Sequence, residues 1–272
     1  MKVAASGPPR RGFSPTIWSS LLFGFLAIKA VLSFVLGLRD ELAPYGTSVY
    51  FLILLLATGF AVLNAVERTL GRRFFWVFIA LGYGLWALDQ WLYVYYVILR
   101  HVDVPDSSIA DPALFLHLVP LMAAVVMQPH LNRTDQKAYR ASLTFLFLLV
   151  AWVFLYAYVL FPYQYLFANE KIYNPRFTTL YGIENLALVL ILCLVASRAQ
   201  GPWKSIYYHL LGASTLYAAS SAVANMAIDL GRSYNGSLYS LALNAAACWF
   251  LWVPLHARHL APASTSTVGL DA

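Results

Sequence analysis

Trp86, Asp89, Gln90, Tyr93, Tyr96 and Arg100 recur at three- and four-residue spacing within Leu81–Leu116, so a helix gathers them on one polar-aromatic face. Chemically, that face is a carboxyl group set among rings and an amide, a surface suited to holding a small polar molecule. A carboxyl group inside a membrane span costs about 2.5–3.5 kcal/mol on insertion scales, so it ordinarily has a partner or a task. Asp89 lies about ten residues from the outer end of its helix, and Glu184-Asn185 about seven from theirs; at about 1.5 Å per residue both fall in the outer half. His117 lies about one helical turn below the same surface. A polar stripe, Ser214, Tyr217, Ser221, Asn225 and Asp229, follows at helical spacing. Ser237, Ser240 and Asn244 come next, and Lys29 lies near mid-depth or above. The candidate ligand-binding set is therefore Trp86, Asp89, Gln90, Tyr93, His117, Glu184, Asn185, Asn225, Asp229 and Asn244. The competing reading is interhelical glue, with each such hydrogen bond worth about 0.6 kcal/mol. A Lys29–Asp89 or Lys29–Glu184 ion pair belongs to that structural reading.

Catalytic chemistry finds no motif. The chain has no HExxH, no GxSxG, no glycine loop for phosphate and no Cys-x-x-Cys. Asp103, Asp106 and Asp111 offer ligands for an external cation, but the favoured expectation is that they cap turns, with Asp111-Pro112 starting a helix as N-cap and first helical residue. His117 and His209 are placed towards opposite faces, which argues against a bis-histidine haem. Cys193 and Cys248 lie in apolar runs without metal spacing and are read as small core residues. No catalytic residue, metal or cofactor is expected.

The elements that carry these residues are apolar. The 272-residue chain is 61% hydrophobic and 11% charged, against roughly 25% charged in soluble domains. Its mean hydropathy of +0.66 points the same way. The net charge of +6 forms no patch, so nucleic acid is not an expected partner. Runs of about 20 apolar residues give eight expected spans, at 17–38, 47–67, 74–99, 112–130, 140–162, 177–198, 203–229 and 235–257. Lys2, Arg10, Arg11, Arg68, Arg72, Arg73, Arg133, Lys137, Arg140, Arg198, Lys204 and Arg258 fall on one side, twelve in all. Arg39, Arg100, Lys171, Arg176 and Arg232 fall on the other, five in all. The positive-inside rule then puts both termini in the cytoplasm. The expected fold is an all-α bundle of about eight transmembrane helices in a bacterial inner membrane, with cytoplasmic tails at 1–16 and 259–272. The aromatic stretch Phe161–Arg176 reads as the longest outer loop, lying at the interface.

Three stretches resemble a known family. VPDSSIADPALFLHLVPLM (104–122) is similar to the P-S-x-A-D-x-x-(F/Y)-L segment that follows a Trp/Asp-bearing helix in membrane regions of bacterial signalling proteins. The segment 173–228 resembles the later half of those regions, and GRSYNGSLYSLALNAAACWFLWVPLHA (231–257) their last helix. The family is the multi-pass N-terminal sensor module of diguanylate cyclases (GGDEF proteins) and related sensor histidine kinases. Ser240 stands where the pattern G-S-L-Y-D carries an acid. No GGDEF motif, phosphoacceptor-histidine helix or nucleotide-binding segment follows Arg258. The expectation is the sensor half of a longer protein, or a member without its effector.

The resemblance implies a non-enzymatic sensory module, with the lipid bilayer, a small periplasmic ligand and a cytoplasmic signalling domain or protein as partners. A homodimer is left open as its assembly. The alternative is a small-solute transporter, against which the chain lacks matched Gly/Pro-broken spans.

Overall fold

The computed structural model describes residues 15–35, 39–67, 70–102, 104–105, 108–129, 136–229 and 237–260. The side chains at 15–16, 39–44, 70–71, 136–142 and 228–229 fall outside that description. Asp103, Asp106, the Asp229 side chain and most of both expected tails therefore lie outside the described residues.

Among the described residues every regular element is a helix. In chain order these are α1 (Pro15–Ala30), α2 (Arg39–Glu67), α3 (Leu70–Tyr93), α4 (Ala110–Leu116), α5 (Leu118–Val126), α6 (Gln136–Leu155), α7 (Glu170–Arg198), α8 (Gly201–Asp229) and α9 (Leu238–His259). π-helical turns extend α1 (Val31–Val35), α3 (Val94–Leu99) and α6 (Tyr156–Leu160 and Pro162–Leu166). α4 and α5 meet at His117, so the bundle has eight rods.

Among the described residues six helices are long and apolar enough to cross a membrane: Ile17–Val35, Tyr45–Glu67, Arg72–Leu99, Leu143–Leu166, Glu170–Arg198 and Leu238–His259. Two of the eight expected spans stand apart. The segment expected at 112–130 is a shorter apolar helix, Ala110–Val126. α8 has the length, at 29 residues, but its Ser, Tyr and Asn stripe keeps it out of the apolar group. The distribution of side chains is that of a multi-pass membrane protein. Phe23 (76% exposed), Phe147 (72%) and Val35 (74%) face outward, while Asp89, His117 and Glu184 are buried.

Six rods close a ring. α2 packs along α3, α3 along α4–α5, α5 against α7, α7 against α8, α8 against α9, and α9 returns to α2. α1 leans on α9 and α6 on α5, both from outside. Only 6% of the α1 span and 11% of the α6 span is buried, which fits their peripheral places.

Close packing in the ring depends on two glycines. A Cβ on Gly82 would stand 2.7 Å from Leu121 Cγ and 2.9 Å from the His117 carbonyl, so α3 reaches α5 through that missing side chain. A Cβ on Gly212 would fall 2.3 Å from the Trp249 ring, which sets the approach of α8 to α9.

Pro254 lies within α9 and cannot donate to the Phe250 carbonyl one turn back. Tyr83 on α3 donates to that carbonyl at 3.3 Å. Asn64 on α2 donates through Nδ2 to the carbonyl of Pro254 itself at 2.9 Å. A proline inside a helix of an apolar bundle is tolerated when a neighbour satisfies the freed carbonyl, as Tyr83 does here. One turn further on, Arg258 pairs with Glu67 at 3.0 Å and ties the end of α9 to the end of α2.

Three local expectations are corrected. Asp111 is not an N-cap: α4 begins at Ala110, with Ile109 in the cap position, and Ser108 Oγ accepts from the Ala110 amide at 3.2 Å. The Asp111 carboxylate is instead drawn sideways, accepting from Gln164 Nε2 at 2.9 Å and the Tyr173 hydroxyl at 2.8 Å. The stretch 161–176 is not an open loop, since a π-helical turn at Pro162–Leu166 and the first turns of α7 occupy most of it. α7 therefore starts at Glu170 rather than near 177 and carries Pro175 within it. Cys248 is buried as expected, but Cys193 is exposed, because its face of α7 points out of the ring.

Candidate functional site

Helix register brings one layer of polar groups together. The layer lies near the end where α3 and α8 finish and where α2, α7 and α9 begin. Asp89 is ten residues before the end of the α3 rod at Leu99, and Tyr217–Asn225 precede the end of α8. Thr47 and Tyr50 follow the start of α2, and Ser240 and Asn244 the start of α9. Around these residues lies a partly open cavity of about 270 Å³.

Asp89 is 1% exposed and lines the cavity from α3. Its Oδ2 accepts from Gln90 Nε2 at 2.8 Å. Its Oδ1 is buried without a hydrogen-bond partner. Asn244 faces the cavity from α9 in the same condition: Nδ2 donates to the Ser240 carbonyl at 2.7 Å, and Oδ1 has no partner. Such groups are costly when left unsatisfied, which marks them as places where a ligand atom gains most. Ser221 and Asn225 of α8 and Thr47 of α2 complete the polar lining.

Trp86 forms the inner wall. It is 1% exposed and touches four elements: Tyr50 edge-on at 5.6 Å, His117 stacked at 5.1 Å, Tyr217 at 4.5 Å and Phe250 edge-on at 5.5 Å, between ring centroids. Such pairs contribute about 0.5–1.5 kcal/mol each beyond burial. The Tyr217 hydroxyl is hydrogen-bonded to that of Tyr181 on α7, closing the ring across the cavity's side.

Lys29 enters from α1. It lines the cavity beside α2 at Gly46, where a Cβ would stand 3.8 Å from its Nζ. Among the described residues no ion pair joins Lys29 to Asp89 or to Glu184.

Of the ten candidate residues, Trp86, Asp89, Gln90, Tyr93, Asn225 and Asn244 line the cavity together. His117 lies one layer behind, stacked on Trp86, with Nδ1 donating to the Leu114 carbonyl and Nε2 buried without a partner. Glu184 sits one turn beyond Tyr181 on α7, wholly buried, with neither carboxyl oxygen hydrogen-bonded. Asn185 donates back to the Tyr181 carbonyl at 2.9 Å. Asp229 lies at the end of α8 and its side chain is outside the described residues. Tyr96 and Arg100 leave the face: the π-helical turn Val94–Leu99 breaks the 3.6-residue phase, and they turn to Tyr95 instead.

Tyr50, Thr47, Phe177 and Tyr181 also line the cavity and were not singled out as ligand-binding candidates. Their signal is depth: Thr47 and Tyr50 are three apart near the start of one helix, Phe177 and Tyr181 four apart near the start of another. At the opposite end, Ser205 Oγ lies 2.8 Å from His256 Nε2 and Trp249 donates to His209 Nδ1 at 3.2 Å. Those contacts join α8 to α9. No group of three or more potential metal ligands occurs among the described residues.

Compared with known protein families, curated proteins and solved structures, the chain matches none of the three.

Proposed function

We propose that this chain is a sensory, signal-transmitting module of a bacterial inner membrane, with both termini cytoplasmic and no catalytic activity of its own. A small molecule enters the cavity from the periplasmic side, and its contacts bias the packing of α3, α8 and α9. α9 carries the change inward to a cytoplasmic signalling domain or protein. The observation that carries the reading is that Asp89, whose Oδ1 is buried without a partner, lines a cavity built by so many helices.

α9 is suited to the output role because it meets both ends of the path. Asn244 lines the cavity, Phe250 rests on Trp86, Pro254 lies within the helix, and Arg258 pairs with Glu67 at the far end. A proline break is a point where a helix can bend at small cost once its freed carbonyls have outside donors.

The test joins α9 to a diguanylate cyclase domain and measures cyclic di-GMP output in cells. Asp89→Asn keeps shape and most hydrogen bonds, so normal insertion and melting with lost response is expected. An unchanged response would contradict the reading.

The transporter reading draws on one observation, the one-residue turn at His117 where α4 and α5 meet, beside Trp86. Broken rods flank substrates in many transporters. Uptake of a radiolabelled solute by proteoliposomes would favour it.

A further inference from the structure

The cavity wall carries a carboxyl group and an amino group that do not meet. Asp89 lines it from α3 and Lys29 from α1, and no ion pair joins them. Most ionisable residues within membrane spans pair with one another. Here the space between them is a chamber with aromatic walls from Tyr50, Trp86, Phe177 and Tyr217.

From this arrangement we infer that the cavity binds an amino-acid-sized zwitterion, its ammonium group on Asp89 and Asn244 and its carboxylate on Lys29. The inference rests on the reading of this cavity as the site of the sensed molecule. The two unpartnered atoms on the Asp89 side are Asp89 Oδ1 and Asn244 Oδ1; with Asp89 ionised both are acceptors, which a donating ligand group satisfies. A primary ammonium group has three donors to give. Aromatic faces around it add cation–π attraction. A purely cationic ligand would leave Lys29 facing a second cation. A purely anionic one would leave both acceptors unsatisfied and bring like charge to Asp89. An acyl chain would satisfy neither end. The volume, about 270 Å³, lies just below the roughly 300–1,000 Å³ of drug-sized pockets and suits a molecule of amino-acid size.

The experiment uses the full chain reconstituted in lipid nanodiscs. The probes are the twenty common L-amino acids and γ-aminobutyrate, followed by melting and calorimetric titration. For whichever probe binds, the decarboxylated amine and the deaminated acid are compared with it. The expected result is saturable binding of at least one zwitterion, about tenfold or more tighter than either single-charge analogue, as charge pairs on both ends require. Lys29→Met should weaken the zwitterion but leave the amine analogue unchanged. Asp89→Asn should weaken both. The analogue comparison on the unaltered protein stands even if a variant fails to fold. Equal binding of amine and zwitterion, preference for the acid, or no binding by any probe would overturn the proposal. If Asp89→Asn still abolishes output in the cyclase fusion after such a result, the ligand class is wrong and the sensory reading survives. If output is also unchanged, both fall.

Discussion

The Tyr83 hydroxyl on α3 donates to the carbonyl of Phe250 on α9, the acceptor that Pro254 leaves without its helical donor. The bond crosses the ring where the two helices face each other through their aromatic rings, 5.6 Å apart. Tyr83→Phe should therefore cost about 1 kcal/mol, measured by reversible unfolding in detergent. In a Pro254→Ala background the helix supplies its own donor, and the same change should cost much less. Equal costs in both backgrounds would show that Tyr83 does not compensate for the proline.

Gly82 is required by the approach of α3 to α5, not by backbone conformation. Gly82→Ala forces its new methyl against Leu121 and the His117 carbonyl, and overpacking of this kind costs about 1–3 kcal/mol. Gly84→Ala meets only Thr58 at 3.8 Å and serves as the control. The first should melt well below the parent protein and the second with it.

Glu184 is wholly buried with neither carboxyl oxygen hydrogen-bonded. A polar group left so is destabilising relative to an apolar one of similar shape. Glu184→Met should raise the melting temperature. A fall would mean that the carboxyl group has a stabilising role that its surroundings do not display.

The sequence made the depth of the site legible, because 1.5 Å per residue turns distance from a helix end into height in the bundle. That is why Asp89, Glu184, Asn225 and Asn244 are expected in one layer; Asp89, Asn225 and Asn244 line one cavity, while Glu184 is buried in α7 away from it. Rotation about a helix was less legible. Tyr96 and Arg100 share the wheel position of Asp89 but lie within and just after a π-helical turn, which periodicity alone does not reveal. Partner choice was not legible either. Asp111 looked like a cap, but Gln164 and Tyr173, more than fifty residues away in sequence, take its carboxylate. Lys29 stood beside two candidate acids and pairs with neither. The charge count across loops carries the orientation, which is tested directly in intact cells. Ile109 is 62% exposed, so cysteine there should react with an impermeant thiol reagent. Cysteine at Gln200, exposed beyond the other end of α7, should not. The reverse pattern would invert the topology.

The most direct test of the central claim places an occupant in the cavity by covalent attachment. Ala224 lines the cavity from α8, and the exposed native thiol is removed by Cys193→Ser. In cells carrying the cyclase fusion, an impermeant trimethylammonium thiosulfonate is applied to Ala224→Cys, and cyclic di-GMP is measured before and after. The account predicts labelling from outside and a change in output that reverses when the disulfide is reduced. Labelling that leaves output unchanged, or no labelling at all, would contradict it.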